Sequence, residues 1–124
     1  MLAFCTNCWE EMQAEADVCS RCGARASADA RTFDEKLVSA LKHPLSSVRA
    51  RICWVMGHRG DKESVPHLRR IMRQDEDLFV RLAAISALGE LGGEDTVEAL
   101  EEAASLEEGA IAGAARSALL RLGR

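Results

Sequence analysis

Four cysteines near the start of the chain have the spacing of metal ligands. Two Cys-x-x-Cys pairs, separated by ten residues, supply the thiols of Cys5, Cys8, Cys19 and Cys22. Two residues between the ligands of a pair let the chain turn so that both sulfur atoms face one tetrahedral ion, and a ten-residue loop is long enough to return the second pair to the same ion. The pattern predicts one metal site in the first 25 residues.

A closed shell of four thiolates predicts a structural ion, because a catalytic zinc keeps an open coordination position. Zinc is the expected metal, and rubredoxin-like iron is the alternative, since a thiolate tetrahedron suits both ions. Without a metal the same cysteines would be two reduced pairs or two disulfides. So small a segment has too few apolar residues to fold unaided, so we expect the metal to take the place of a hydrophobic core.

The rest of the sequence suggests no reaction. It contains no Gly-x-Ser-x-Gly motif and no phosphate-cradling glycine loop, and thioredoxin-type chemistry would need a βαβ unit. His43, His58 and His67 are scattered among helix ends and breaks, and we expect each to be solvated or to cap a helix end. Cys53 is expected to be a buried small hydrophobe. We therefore predict a protein that is not an enzyme.

The composition, with 48% hydrophobic and 29% charged residues, is that of a folded, soluble chain. No apolar run approaches the roughly 18–20 residues needed to cross a bilayer, and the N-terminus lacks the basic and apolar regions of a secretion signal. We expect a cytoplasmic protein with no membrane contact. In that reducing compartment paired cysteines indicate metal binding before disulfides.

The elements that follow the cysteines form a repeat of about 32 residues. Segments 48–61, 80–93 and 111–124 align without gaps, and each follows a shorter helix candidate, so the sequence predicts three helical hairpins. The second segment shows the apolar stripe of one helical face, formed by Val80, Ala84, Ala87, Leu88 and Leu91. Four glycines are predicted to mark helix ends, namely Gly57, Gly60, Gly92 and Gly93.

Residues 80–92 read Val-Arg-Leu-Ala-Ala-Ile-Ser-Ala-Leu-Gly-Glu-Leu-Gly. This resembles the HEAT-like repeats of the type first noted in phycobilisome lyases, and the resemblance covers residues 33–124, although the third copy has Ala112 in place of the usual arginine. It implies an all-α solenoid of three hairpins that presents a surface to another macromolecule. The cysteine segment resembles the short zinc ribbons found at the ends of many prokaryotic proteins, best in Cys19-Ser20-Arg21-Cys22-Gly23.

We therefore predict a zinc ribbon at residues 1–25, a linker of small residues at 26–32 and a HEAT-like repeat domain at 33–124. In the resembling proteins the arginine of the repeat motif, here Arg49 and Arg81, pairs with an acid of a neighbouring break. Asp77, four residues before Arg81, has the right helical spacing to be that partner.

The expected function is a protein–protein interaction scaffold, as a monomer or a homodimer. One alternative is a nucleic-acid-binding adaptor, because residues 34–81 carry ten Lys or Arg against seven acids. Its candidate contacts are Arg51, Arg59, Lys62, Arg69, Arg70 and Arg73. A second alternative is a lyase or maturation accessory protein, for which the sequence nominates no residue.

Trp54 is the most unusual residue of the repeats. Its aligned partners are Ser86 and Ser117, so the repeat pattern places a large aromatic side chain where the other copies face water. Either it anchors a partner or another part of the chain covers it. Because solenoid ends need a cap, we hypothesise that residues 1–25 fold against the open end of the first hairpin, with Trp54 or Trp9 in the contact.

Overall fold

The computed structural model describes all residues from 1 to 124 and contains a small N-terminal module followed by six helices. The module has a two-stranded antiparallel sheet of β1 (Leu2–Phe4) and β2 (Glu11–Gln13), in which Ala3 lies opposite Met12. The helices are α1 (Phe33–Ala40), α2 (Ser46–Arg59), α3 (Val65–Gln74), α4 (Leu78–Leu91), α5 (Glu94–Leu106) and α6 (Gly109–Arg121). None of them combines the length and the apolar character that a membrane-crossing helix needs.

The helices form three successive hairpins, α1–α2, α3–α4 and α5–α6. Helix α4 packs against α2 on one side and α6 on the other, so the second helices of the hairpins form one layer. The first helices form the other layer, in which α3 contacts α5. The predicted all-α solenoid with a small N-terminal element is confirmed.

Local sequence signals account for where the helices begin and end. Thr32 and Glu35 form a reciprocal capping box at the start of α1, and the Asp77 carboxylate accepts hydrogen bonds from the first turn of α4. Pro66 lies in the first turn of α3, where its missing N–H has no intrahelical partner to lose. Gly60 ends α2 with a φ of 71°, as predicted for a helix-terminating glycine.

One continuous apolar core runs between the two layers. The predicted stripe of α4 is fully buried, from Val80 to Leu91. Val48, Ile52 and Val55 of α2 align with stripe positions of α4 but are only half-buried. Cys53 and Met56, each one position after a residue of that set, face the core instead. Cys53 is 0% exposed, which confirms that it is a small core residue.

Gly57 does not end a helix, and this prediction was wrong. It lies inside α2 and faces α4, where a Cβ atom would stand 2.8 Å from Ala87 Cα. The contacted atom belongs to the backbone of a packed helix, so no side-chain rotation relieves the clash. The glycine sets the distance between the first two repeats.

Replacing Gly57 by alanine is expected to destabilise the protein by about 1–2 kcal/mol, because overpacking outweighs the gain in helix propensity. Gly113 is the matched control, since it is also helical but has nothing within 4 Å of an added Cβ. Gly113→Ala is expected to stabilise by about 0.5–1 kcal/mol. Urea unfolding followed by circular dichroism measures both changes, and the same sign for the two variants would contradict the packing role of Gly57.

Successive repeats are joined by the motif arginines. Arg49 near the start of α2 pairs with Asp75 after α3, at 2.9 Å, and Arg81 near the start of α4 pairs with Glu107 after α5, at 2.7 Å. Both pairs span 26 residues, so the contact repeats with the hairpins. The expected partner of Arg81 was wrong: Asp77 caps α4 instead, because its side chain accepts from the N–H groups of Phe79 and Val80.

Candidate metal centre and the surfaces around it

The four cysteine sulfurs converge on one point between the two Cys-x-x-Cys turns. All four Sγ atoms lie within 4.8 Å of one another. Two close pairs join the two turns, since Cys5 Sγ is 3.7 Å from Cys22 Sγ and Cys8 Sγ is 3.7 Å from Cys19 Sγ. A tetrahedron with metal–sulfur bonds of about 2.3 Å has edges of about 3.8 Å. The donor set therefore fits a single tetrahedral metal ion.

The two cysteine turns are built alike from the backbone. Cys5 donates its N–H to Glu10 O and accepts from Trp9 N–H with its carbonyl, at 2.9 and 2.8 Å. Cys19 makes the equivalent pair of bonds to Ala24 O and from Gly23 N–H, at 3.0 and 2.9 Å. Each turn is thus a closed loop whose two thiols lie on one side.

Asn7 donates hydrogen bonds to two of the four sulfurs. Its backbone N–H points at Cys5 Sγ at 3.4 Å, and its side-chain amide points at Cys22 Sγ at 3.5 Å. Hydrogen bonds of this kind stabilise thiolates and fix the direction of their lone pairs. The turns therefore orient the sulfurs as ligands.

Trp9 adopts a backbone conformation that normally requires glycine. Its φ is 63°, and it is the only residue other than glycine with a positive φ. The equivalent residue of the second turn is Gly23, with a φ of 77°. A bulky residue in this region costs on the order of 1–3 kcal/mol, so contacts of the indole ring must offset the strain.

Hydrogen bonds and the crowding of the sulfurs shift the pKa values of the thiols in opposite directions. Hydrogen bonds from the Asn7 side chain and the Ala24 N–H lower the pKa of Cys22 to about 6. The Glu10 N–H also lowers the pKa of Cys8, but desolvation and the neighbouring sulfurs outweigh it and raise that pKa to about 12. Thiols so close together do not all ionise unaided, because each thiolate disfavours the next. A divalent cation removes this repulsion.

The N-terminal module has almost no core of its own. Among residues 1–25 only Cys5 and Cys19 are buried. The side chains that would fill an ordinary small domain, such as Leu2 and Val18, are exposed. What holds the two turns together is therefore the cysteine cluster and the two short strands.

The module contacts the first hairpin through the ring of His43. The Phe4 ring meets the imidazole edge-on at 4.8 Å between centroids, and the Trp9 ring lies at 5.0 Å. His43 is half-buried, and its Nδ1 accepts from the N–H of Leu45 at the start of α2. Of the two expected environments, solvent or a helix end, His43 has the second. Its aromatic contact was not predicted, because the partners lie more than 30 positions apart.

Polar contacts continue this junction through residues 26–32. Asp17 accepts from the backbone and hydroxyl of Ser27, both at 2.9 Å, and Arg31 donates to Thr6 O at 3.1 Å. Ser39 Oγ of α1 lies 3.5 Å from the same Thr6 oxygen. The division of the chain at residues 25 and 33 stays a prediction.

Of the two tryptophans, Trp9 makes the contact between the module and the repeats. Of the two residues predicted for this contact, Trp54 is not part of it, since its side chain is 59% exposed on the outer face of α2. Its indole stacks on His58, with 4.0 Å between centroids and 24° between planes. The surface around Trp54 is open for a partner.

Most of the basic residues considered for nucleic-acid binding have partners within the chain. Arg59 pairs with Asp34, and Lys62 donates to the carbonyls of Leu91 and Gly92 at the end of α4. Arg69 and Arg73 both pair with Glu102. Only Arg51 and Arg70 of the six make no side-chain ion pair or hydrogen bond.

The junction at His43 is expected to weaken on acidification. Desolvation, with the charge of Arg49 as the lesser cause, holds the pKa of His43 below its ordinary value. The unfolded chain therefore takes up this proton near pH 6.5 and the folded chain only at lower pH, so the stability is present above pH 6.5 and is lost as the pH falls below it.

The test is to measure the unfolding free energy of the wild-type protein and of His43→Gln from pH 7.5 to pH 5.5. The difference between the two proteins at each pH gives the contribution of the imidazole. Changes at the cysteine cluster at low pH affect both proteins, so the difference isolates the imidazole. We expect the wild type to lose more stability than the variant. Parallel pH curves would contradict a neutral His43 in the junction.

Comparison with known proteins agrees with the repeat architecture. A family model described as HEAT repeats matches residues 35–120, which is most of the chain. No curated protein matches the chain significantly.

Proposed function

The chain belongs to the HEAT repeat family, and from this membership we propose that it is a non-enzymatic interaction protein. Its repeats bind another protein, and its four N-terminal cysteines hold a structural zinc ion. Solenoid repeats contact only their neighbours, which leaves long continuous faces for a partner. Function then depends on which face is complementary to that partner.

Zinc is the metal we assign to Cys5, Cys8, Cys19 and Cys22. The support is the tetrahedral spacing of the sulfurs and the N–H groups of Asn7 that point at Cys5 and Cys22. Zinc bound to four thiolates has no open position for substrate, so its role is to hold the two turns in place. The turns in turn present Phe4 and Trp9 to His43, and the module caps the first hairpin.

The observation that carries the binding function is the exposure of Trp54. A side chain of this size is 59% exposed at the position where the other repeats have Ser86 and Ser117. An exposed indole costs free energy in water and recovers it when a partner covers it, which is why tryptophan is common among interface anchors. We assign the partner surface to the outer face of α2 and α4 around Trp54.

A protein is the better partner class than nucleic acid. Four of the six candidate basic residues already neutralise acids or helix ends within the chain. The sequence pI is about 5.4, and α5 begins with Glu94 and Asp95. Phosphate backbones need several unpaired cations on one face.

Photo-crosslinking tests the proposed surface. A benzophenone amino acid placed at position 54 is expected to crosslink in cells to one recurrent protein, and the same group at Arg116, exposed on α6, is the control. Added wild-type protein should compete the crosslink in lysate, whereas Trp54→Ser protein should not. Crosslinks to nucleic acid, or equal products from both positions, would contradict the proposal.

A further inference from the structure

A groove of about 350 Å³ lies beside Trp54, between the outer faces of α2 and α4. Its apolar lining consists of the Trp54 ring and the small side chains of Ala50, Ala83 and Ala87. Residues 50–58 of α2 and 83–90 of α4 border it, so it is about two helical turns, or roughly 10–12 Å, long. The dimensions suit the contact face of a short segment of a partner protein.

The aromatic wall of the groove is held in place before a partner arrives. The stacked ring of His58 supports the indole from one side, and His58 Nδ1 lies 3.0 Å from Trp54 O one turn earlier. Ala83 and Ala87, across the groove, are too small to reach the indole face. A large apolar side chain from outside can therefore fill the space without moving the wall.

The two ends of the groove carry opposite charges. Arg51 lies at one end and makes no ion pair, and Glu90 lies at the other end and makes none. In the repeat alignment Glu90 matches His58, which is seven residues after Arg51. Seven helical residues correspond to about 10 Å, which separates the charges by the length of the groove.

The walls of the groove favour a helical segment over an extended peptide. Both are helices, whose backbone N–H and C=O groups are used within the helix. An extended chain laid between them would bury backbone groups without hydrogen-bond partners, whereas a helix brings its own backbone bonds. Helix-in-groove binding is the mode that fits these walls.

We propose that this groove binds one amphipathic helix of the partner protein, with a large apolar side chain against Trp54. An acidic residue of that helix faces Arg51, and a basic residue about seven positions away faces Glu90. The inference rests on the proposed function and specifies the chemistry of its partner.

A displayed library of helical 16-residue peptides, randomised on one face, tests this directly. Peptides are selected for binding to the zinc-loaded full chain, and those that also bind Trp54→Ser are removed. This variant carries at position 54 the serine that the other repeats have at the aligned position. We expect enriched peptides to carry a large apolar residue flanked by an acid and a base about seven positions apart. In fluorescence anisotropy they should bind Trp54→Ser at least about tenfold more weakly, the factor that corresponds to 1.4 kcal/mol.

Charge reversal provides the control for orientation. Arg51→Glu should weaken these peptides, and replacing their acid by lysine should restore binding to that variant. Enriched peptides without the charge pattern, peptides that bind Trp54→Ser equally well, or Trp54-dependent dimers in sedimentation equilibrium would overturn the inference. The two proposals can fail separately. A crosslink from position 54 to a protein that is not helical at the contact would refute the helix inference and leave the proposed function standing.

Discussion

Cys19→Ser is expected to abolish metal binding and to unfold the N-terminal module while the six helices remain. Cys19 is 2% exposed and is one of only two buried residues in the first 25, so no other core replaces it. Zinc binding in comparable small modules is worth about 10–16 kcal/mol, far more than the two short strands supply. We expect no bound zinc, loss of the NMR signals of residues 1–25 from their folded positions, and little change in helical circular dichroism.

Cys53→Ser is the matched control, because it makes the same chemical change in the helical core. Cys53 is 0% exposed, and burial raises the pKa of its thiol to about 12. This variant should keep one zinc per chain and lower the unfolding temperature of the repeats. If Cys19→Ser kept its zinc and its folded module, the cysteine cluster would not be the core of that module.

Arg49→Ala should cost about 3–5 kcal/mol of unfolding free energy, the range for breaking a buried ion pair. The guanidinium holds Asp75 with two bonds, at 2.9 and 3.1 Å, and also donates to the carbonyls of His43 and Pro44. The Arg49 and Asp75 side chains are 10% and 6% exposed. The change leaves the Asp75 carboxylate buried without its partner, and urea unfolding at pH 7 measures the loss.

Two further arginines make this prediction specific. Arg51→Ala, two residues along the same helix, removes an exposed side chain without an ion pair and should change stability by less than about 0.5 kcal/mol. Arg81→Ala removes the equivalent ion pair of the next repeat, in which the Arg81 and Glu107 side chains are 19% and 35% exposed. Its loss of unfolding free energy should lie between those of Arg49→Ala and Arg51→Ala. Equal losses of unfolding free energy for Arg49→Ala and Arg51→Ala would refute the stabilising role of the Arg49–Asp75 ion pair between repeats.

The clustering of the four cysteines and the hairpins follow from local spacing, which is why the sequence sufficed to predict them. The Cys5 to Cys22 pattern and the stripe from Val80 to Leu91 depend on residues that are close in the chain and repeat at fixed intervals. Helix ends at Thr32, Pro66 and Gly60 also depend on local backbone chemistry. These features are set before tertiary packing.

The features that the sequence did not reveal depend on distant contacts. Glycine is common at helix ends, but Gly57 is needed inside α2 because Ala87 of the next repeat leaves no room for a side chain. His43 becomes an interface residue only when Phe4 and Trp9 reach it, and Arg81 finds Glu107 only after the third hairpin has packed. The repeat alignment marks Trp54 as unusual, but the residues near it in the sequence do not show whether the N-terminal module covers it or leaves it exposed.

Native mass spectrometry of the full chain, purified under reducing conditions without chelator, tests the central claim most directly. The account predicts one zinc ion per chain for the wild type and for Cys53→Ser, and none for Cys19→Ser. The four thiols should resist alkylation until the zinc is removed. A metal-free wild-type chain with a folded N-terminal module, or one that holds Cys5–Cys22 and Cys8–Cys19 disulfides, would contradict it.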